Sequence, residues 1–312
     1  MSYEELLTGL ALNDDRFIVM TAENRALIRK LPQLLGSRFI DTGITEQTMI
    51  GAAAGLALRG RIPVVHALAS FLSMRAFEFI RTDAGIPSLP IKLSAFIPGL
   101  LSDANGPTHQ AIEDVSIMRG IPNMTVFAPA DEDDLVKMLP QIWASHQPAY
   151  TRINTGQTGY VHEPFQPGKA ELISKGSDVT ILTYGLLFGQ SLIAKEILKD
   201  EGLSVGLINM RSLKPVDESV ILEAAAGSKL LVTIEDHFLT GGLYTIIAEV
   251  LLKHQRTANV LPFALKEKWF KPALLPAVIQ HEGFSGKHVA EAILGYQTSH
   301  NQPGILNPEF AE

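Results

Sequence analysis

Residues 41–55 read Asp-Thr-Gly-Ile-Thr-Glu-Gln-Thr-Met-Ile-Gly-Ala-Ala-Ala-Gly. A short apolar run, Phe39–Asp41, reads as a strand that ends here. A glycine turn follows, and Thr45 is placed to N-cap a helix over Glu46–Leu58. Glu46 falls in the first turn of that helix, where a carboxylate complements the helix dipole. For a lone glutamate that structural role would suffice. The helix behind it is unusual, because Gly51 to Gly55 are all glycine or alanine and let another backbone come close. A carboxyl entering such an interface is dry, and a dry carboxyl holds its proton more tightly. It can then donate that proton to a ring nitrogen, which a solvated carboxylate does poorly.

The strand–turn–helix unit repeats on both sides of this stretch. The pattern predicts strands at Phe17–Met20, Pro63–Ala67, Ile91–Ala95, Thr125–Ala128 and Ala149–Ile153. Helices are predicted at Met74–Asp83, Asp114–Met118 and Asp131–Ser145. Alternation of this kind argues for a mostly parallel sheet flanked by helices. Gly156–Gly176 is polar, carries several Gly and Pro residues, and reads as a linker. Beyond it the alternation resumes, with strands at Val179–Tyr184, Val205–Ile208, Leu230–Glu235 and Val260–Ala264. Helices are expected at Phe188–Lys199, Glu218–Ala226, Leu243–Lys253 and Gly286–Tyr296. The expected fold is α/β in two domains, residues 1–165 and 166–312, each a mostly parallel sheet flanked by helices. Two domains are also what 312 residues suggest.

Composition narrows the function. Hydrophobic residues make up 46% and charged residues 19%, which supports packed cores rather than disorder. The net charge is -7 and no basic stripe appears, so nucleic acid is not an expected partner. No polybasic cluster flanks an apolar helix, and runs such as Ile50–Leu58 are too short to span a bilayer. The absence of cysteine excludes disulfides, thiolate zinc sites, iron–sulfur clusters and a cysteine nucleophile. The first residues lack the charged and apolar regions of a signal peptide, so a cytoplasmic protein is expected.

Ligands of open α/β sheets sit beyond the carboxyl ends of the strands. After Pro63–Ala67 come Phe71 and Phe77, which either flank a planar ring or belong to the core. After Ile91–Ala95 comes Asp103-Ala104-Asn105-Gly106-Pro107-Thr108-His109-Gln110, whose Gly-Pro fixes a turn that presents His109. Arg152, near the end of Ala149–Ile153, either meets an anion or sits in a surface ion pair. Each of these residues alone has an ordinary structural explanation.

Their order and spacing together point further. Ile44-Thr45-Glu46-Gln47 with its Gly/Ala helix, Ala69-Ser70-Phe71-Leu72, Gly106-Pro107-Thr108-His109-Gln110, Pro122-Asn123-Met124-Thr125-Val126 and Pro129-Ala130-Asp131 resemble the pyrimidine-binding half of transketolases. Thr233-Ile234-Glu235-Asp236-His237 and Gly241-Gly242-Leu243 resemble the transketolase C-terminal domain. The resemblance runs from Asp15 to Leu294 and implies a member of the thiamine-diphosphate-dependent superfamily. It assigns Glu46 to the aminopyrimidine nitrogen of the cofactor, where it promotes the imino form. Phe71 takes the position that stacks on the pyrimidine, and Phe77 is the second aromatic. His109 takes the position that faces substrate oxygens, Arg152 the one that binds the substrate phosphate. Asn105 stands where the family has an aspartate that reads a sugar hydroxyl.

Such enzymes also need a domain that grips the diphosphate, marked by Gly-Asp-Gly, and no Gly-Asp-Gly occurs here. The resemblance therefore implies a split transketolase in which a larger subunit holds the diphosphate and its Mg2+ or Ca2+. This chain itself is expected to hold no metal. Family architecture implies two copies of this chain in a two-plus-two heterotetramer acting on small sugar substrates. Besides Asn105, the family's histidine twelve positions before His109 is replaced by Ile97. A modified sugar or another ketose is therefore in view.

Four rivals stand beside this reading. The beta subunit of a 2-oxo acid dehydrogenase is disfavoured by the Gly-Pro-Thr-His-Gln and Pro-Asn-Met-Thr runs. A 1-deoxyxylulose-5-phosphate synthase is normally one long chain. A nonenzymatic subunit that kept the fold need not retain Glu46, Phe71 and His109 together. A dinucleotide-binding dehydrogenase lacks its Gly-x-Gly-x-x-Gly, and Gly241-Gly242 is only a weak phosphate nest.

Overall fold

The computed structural model describes residues 1–102 and 105–300. Asp103 and Ala104, in the segment that leads to His109, lie outside the described residues. The chain opens with α1 (Tyr3–Asn13), started by a capping box in which Ser2 and Glu5 each accept the other's backbone N–H. Then come β1 (Phe17–Thr21), α2 (Leu31–Leu35), β2 (Phe39–Asp41), α3 (Glu46–Leu58), β3 (Ile62–Leu68), α4 (Phe77–Phe79), β4 (Lys92–Phe96), α5 (Asp114–Arg119), β5 (Thr125–Phe127), α6 (Glu132–Ala144) and β6 (Ala149–Ile153). Every residue of β1, β4 and β6 is buried, as strands covered on both faces require.

The remaining elements are β7 (Glu171–Ser174), β8 (Val179–Thr183), α7 (Phe188–Asp200), β9 (Val205–Asn209), β10 (Ser212–Lys214), α8 (Glu218–Gly227), β11 (Leu230–Phe238), α9 (Leu243–Lys253), β12 (Val260–Leu265), α10 (Leu275–His281) and α11 (Gly286–His300). One sheet has the strand order β10-β5-β6-β4-β3-β1-β2 and the other β12-β11-β8-β9-β7. All pairings are parallel except β10 on β5 and β7 on β9. The fold is thus the expected pair of mostly parallel sheets flanked by helices. None of the described helices is long and apolar enough to cross a membrane.

Three features differ from the sequence expectation. The segment Gly156–Gly176 is not only linker, because it contains β7, which closes the edge of the second sheet. β10 lies in the second half of the chain yet pairs with β5, with Ser212 opposite Phe127. The sheets are therefore not built from separate stretches of chain, and one buried cluster runs from Met20, Val65 and Leu93 through Leu182, Met210 and Leu213 to Leu243. The third difference is the single helix expected over Met74–Asp83. Residues 71–85 instead widen into π-helical turns at Phe71–Arg75 and Ile80–Gly85, on either side of the short α4. Such turns are rare and recur at functional sites.

Candidate active site

The site begins at the carboxyl end of β2. Asp41 Oδ1 accepts the backbone N–H of Gly43 at 2.9 Å and of Glu23 at 3.1 Å, which fixes the turn. Gly43 has φ +68°, a conformation that a side chain would strain. Thr45 takes the N-cap position of α3 as expected but makes no side-chain capping bond; its hydroxyl donates to the Thr42 carbonyl at 2.8 Å. Glu46 follows as the first residue of α3 and is only 1% exposed. Among the described residues no backbone packs on the Gly/Ala face, where Gly51, Ala52 and Gly55 are exposed. Nothing lies within 4 Å of where a Gly55 Cβ would stand.

The loop after β3 supplies the partner that makes burial of Glu46 tolerable. Arg75 Nη1 donates to Glu46 Oε2 at 2.9 Å. The Arg75 guanidinium carbon also lies 4.0 Å from the centre of the Phe71 ring. Phe71 also meets His109, with ring centres 5.1 Å apart and planes inclined by 60°. The Thr108 hydroxyl lies 2.9 Å from His109 Nδ1. Glu46, Phe71 and His109 come from the loops after β2, β3 and β4, and Arg75 joins the first two. Sequence reasoning missed Arg75. Its only signal was a spacing of four from Phe71 in a helical stretch, which places both on one face.

The other predicted residues lie further out. Phe77 is half-buried and packs against the main core. Asn105 is exposed on the loop that leads to His109, with Nδ2 3.5 Å from Ser102 Oγ.

Arg152 requires a correction. It sits within β6, is 2% exposed, and is committed to carboxylates of this chain. Its Nε donates to Asp114 Oδ2 at 3.1 Å and its Nη1 to Asp236 Oδ1 at 2.7 Å. The ring of Tyr184 lies 5.4 Å beneath. The loop after β4 covers the pair, with Ile97 at φ +45° and Gly99 at φ +57°. A Cβ on Gly99 would fall 1.8 Å from Asp236 Oδ2 and 2.5 Å from Arg152 Nη2. Its guanidinium is thus buried and paired within the chain, where the resemblance implied a cation facing a substrate phosphate.

The Glu-Asp-His run on β11 joins the two halves of the molecule. Glu235 accepts the backbone N–H of Leu243 at 2.6 Å and of Tyr244 at 3.0 Å at the start of α9. Burial pushes its carboxyl up to about 8, against the pull of those two donors. A Cβ on Gly242 would lie 2.0 Å from Glu235 Oε2, so only glycine lets the helix start this close. The Gly-Gly nest therefore holds a carboxylate of this chain. Asp236 is the partner of Arg152, and burial raises its carboxyl while Arg152 pulls it down. His237 Nε2 accepts the backbone N–H of Ser116 at 3.3 Å, and its Nδ1 lies 2.6 Å from the Phe238 carbonyl. That geometry places its proton on Nδ1.

A second buried network surrounds His162, whose Nδ1 lies 2.7 Å from Glu171 Oε2 and Nε2 3.3 Å from Asp131 Oδ1. Burial lowers its proton affinity, but the close carboxylates of Asp131 and Glu171 outweigh this and raise it to about 9. Asp134, His162 and Glu171 bring ligand atoms within 4.8 Å of one another. The Arg211 guanidinium, however, already donates to Asp134 at 2.9 Å, and the Asn209 amide reaches Asp134 and Glu171 at 3.0 Å each. The cluster thus carries its own cation.

Comparison with known proteins finds relatives along most of the chain. The family described as "Transketolase, pyrimidine binding domain" matches residues 1–159, and "Transketolase, C-terminal domain" matches residues 168–289. A 6-deoxy-6-sulfo-D-fructose transketolase subunit from Clostridium sp. (strain MSTE9) is 36% identical over 255 residues, covering 80% of this chain and 79% of that one. A 1-deoxy-D-xylulose-5-phosphate synthase from Synechococcus sp. is 35% identical over 298 residues, which is 92% of this chain but 45% of the synthase. Among solved structures, a chain described as a split gene transketolase, inactive beta4 tetramer, superposes with a TM-score of 0.84 at 31% identity. That match covers 95% of this chain and 96% of the other.

Proposed function

The chain belongs to the transketolase family, and from that membership we propose that it is the smaller subunit of a split transketolase-like enzyme. It moves a two-carbon ketol unit from a ketose to an aldehyde with thiamine diphosphate as cofactor. One observation carries this reading: Glu46, Phe71 and His109 converge from three successive loops at the carboxyl edge of a parallel sheet.

The residues present fit the aminopyrimidine end of that cofactor. A basic planar heterocycle asks for a dry carboxyl to bond its ring nitrogen and an aromatic face to stack on. Glu46 is buried and Phe71 half-buried, so the chain offers both. When bound, thiamine diphosphate supplies the carbon nucleophile that accepts the ketol unit. Glu46 holds and returns a proton at the ring nitrogen. Phe71 fixes the plane of the ring, and Phe77 backs it from the core. His109 Nδ1 is engaged by Thr108, which leaves Nε2 to meet a substrate oxygen. Asn105 stands on the same loop to read a neighbouring hydroxyl.

We assign the diphosphate, with its Mg2+ or Ca2+, to a larger partner subunit carrying Gly-Asp-Gly. Likeness to a chain described as a split-gene transketolase in an inactive tetramer supports this. The working enzyme then contains two copies of each subunit. The exposed face of α3, with Gly51, Ala52, Gly55 and Leu58, is the surface on which copies of this chain meet. Ile97 and Asn105, and the sulfo-sugar named for the Clostridium relative, support a non-standard ketose as substrate.

The test is reconstitution. The isolated chain is expected to be folded, to bind thiamine diphosphate poorly and to turn nothing over. Mixing with the larger subunit is expected to restore ketol transfer in a two-plus-two complex by light scattering. Tight cofactor binding by the isolated chain overturns the reading. So does release of CO2 from 2-oxo acids in place of ketol transfer.

A further inference from the structure

We propose that Arg75 is a stand-in for the cofactor's aminopyrimidine: in the free chain its guanidinium occupies both the carboxyl of Glu46 and the face of Phe71, and it must swing off them before the ring can bind. This rests on the assignment of Glu46 and Phe71 given above.

The two groups share a chemistry. A guanidinium is a planar, delocalised group with N–H donors at its edge that stacks on aromatic rings. An aminopyrimidine is also planar, stacks through its face and bonds through its edge nitrogens. Arg75 makes both contacts at once, donating to Glu46 Oε2 at 2.9 Å and lying 4.0 Å over the Phe71 ring centre. The guanidinium and the ring therefore compete for one carboxyl and one aromatic face.

The arrangement answers a physical need. Glu46 is 1% exposed, and a buried carboxylate without a partner is costly. Arg75 provides that partner while the ring is elsewhere. The same side chain is 39% exposed, so it has open solvent to move into. Arg75 ends the π-helical turn Phe71–Arg75, and Ala76 after it leaves helical geometry with φ -98° and ψ 10°. The arginine at this position thus keeps a dry carboxyl compensated and weakens the apparent affinity for the ring by the fraction of time it occupies the site.

The experiment uses the full chain and, as probe, the pyrimidine fragment alone, 4-amino-5-hydroxymethyl-2-methylpyrimidine, titrated by NMR or calorimetry. Arg75→Ala is expected to bind the fragment about tenfold more tightly than wild type, since the competing state is removed. Its Tm without the fragment is expected to fall, because Glu46 is left unpaired. Arg75→Lys, which keeps the charge and loses the planar stack, is expected to lie between the two in affinity. A merely structural arginine would lower stability without tightening the fragment. An arginine that holds the ring would give weaker binding in Arg75→Ala. Unchanged or weaker binding in both variants, with wild type binding the fragment, overturns the stand-in role and leaves the site intact. If wild type binds the fragment and Glu46→Gln and Phe71→Ala bind it just as tightly, the site assignment fails and this proposal with it.

Discussion

Arg152 Nη1 donates to Asp236 Oδ1 at 2.7 Å, and the two residues lie on strands of different sheets. Asp114 closes on the same guanidinium from α5. All three are buried, so the arginine neutralises carboxylates that neither sheet can solvate. Removing one member of a buried charge network costs about 3–5 kcal/mol, because the other members stay buried without a partner. Arg152→Met is therefore expected to lower urea stability by that order. Any residual activity should change alike for phosphorylated and unphosphorylated sugars. A variant of wild-type stability, with KM raised only for phosphorylated sugars, would return Arg152 to the substrate.

Glu46→Gln keeps the shape of the side chain and removes its ability to take up a proton. General acid–base help of this kind is worth about 10²–10⁴-fold. Turnover of the reconstituted enzyme is expected to fall by that factor, with circular dichroism and assembly unchanged. The amide still offers an oxygen to Arg75, so the fold should not suffer. Near-normal turnover would reduce Glu46 to a carboxylate at a helix start.

The His162 network predicts a pH dependence of stability. Asp131 and Glu171 hold the imidazolium, raising its titration from an ordinary 6.5 to about 9 despite burial. A raised basic group stabilises the fold fully below its unfolded value, and that contribution is lost as pH rises through the folded one. Stability is therefore expected to fall between about pH 6.5 and 9. Glu235, pushed up to about 8 by burial, adds a fall between its ordinary value and that pH. Lys92, pushed down to about 7 by burial, opposes both. The diagnostic quantity is thus the difference between wild type and His162→Gln in denaturation midpoint, measured from pH 6 to 10. That difference should shrink as pH rises, and a constant gap would show that His162 is neutral in the fold.

The parts of the molecule legible in sequence are those whose residues lie close together along the chain. Glu46 follows a strand and a glycine turn, and His109 follows Gly106-Pro107, so each loop announced itself. Arg152 and Asp236 are 84 residues apart and Arg152 and Asp114 are 38 apart. Nothing local distinguishes a buried arginine with two partners from one that faces an anion. β10 was invisible because three residues carry no periodicity and its partner β5 lies far upstream. β7 was hidden by the Gly and Pro around it, since its pairing with β9 and not its composition makes it a strand. Arg75 belongs to no motif, and its role shows only when Glu46 and Phe71 are seen on either side of it.

The substrate is the last question, and it turns on the loop after β4. Ile97 stands where transketolases carry a histidine, and it adopts φ +45°, a conformation that β-branched residues rarely enter. With Phe96, Leu101 and Asn154 it lines a cavity of about 200 Å³ at the carboxyl edge of the sheet. Arg152, behind this loop, is already paired with Asp114 and Asp236. On the proposed assignments, two polar contacts to a sugar phosphate are therefore lost, one at Ile97 and one at Arg152. Charge-assisted hydrogen bonds contribute about 1.5–3 kcal/mol each, so the loss of one weakens a substrate roughly 10- to 150-fold. On the proposed assignment Asn105 shifts recognition again, because an amide both donates and accepts where a carboxylate only accepts. The reconstituted enzyme is expected to handle common pentose phosphates less well than a modified ketose, with kcat/KM for a donor and acceptor panel as the measure. Ile97→His, whose side chain tolerates positive φ better than isoleucine, is expected to narrow that gap, and more so with Asn105→Asp. If xylulose 5-phosphate with ribose 5-phosphate leads the wild-type panel by a wide margin, Ile97 and Asn105 do not set specificity and the enzyme is an ordinary split transketolase.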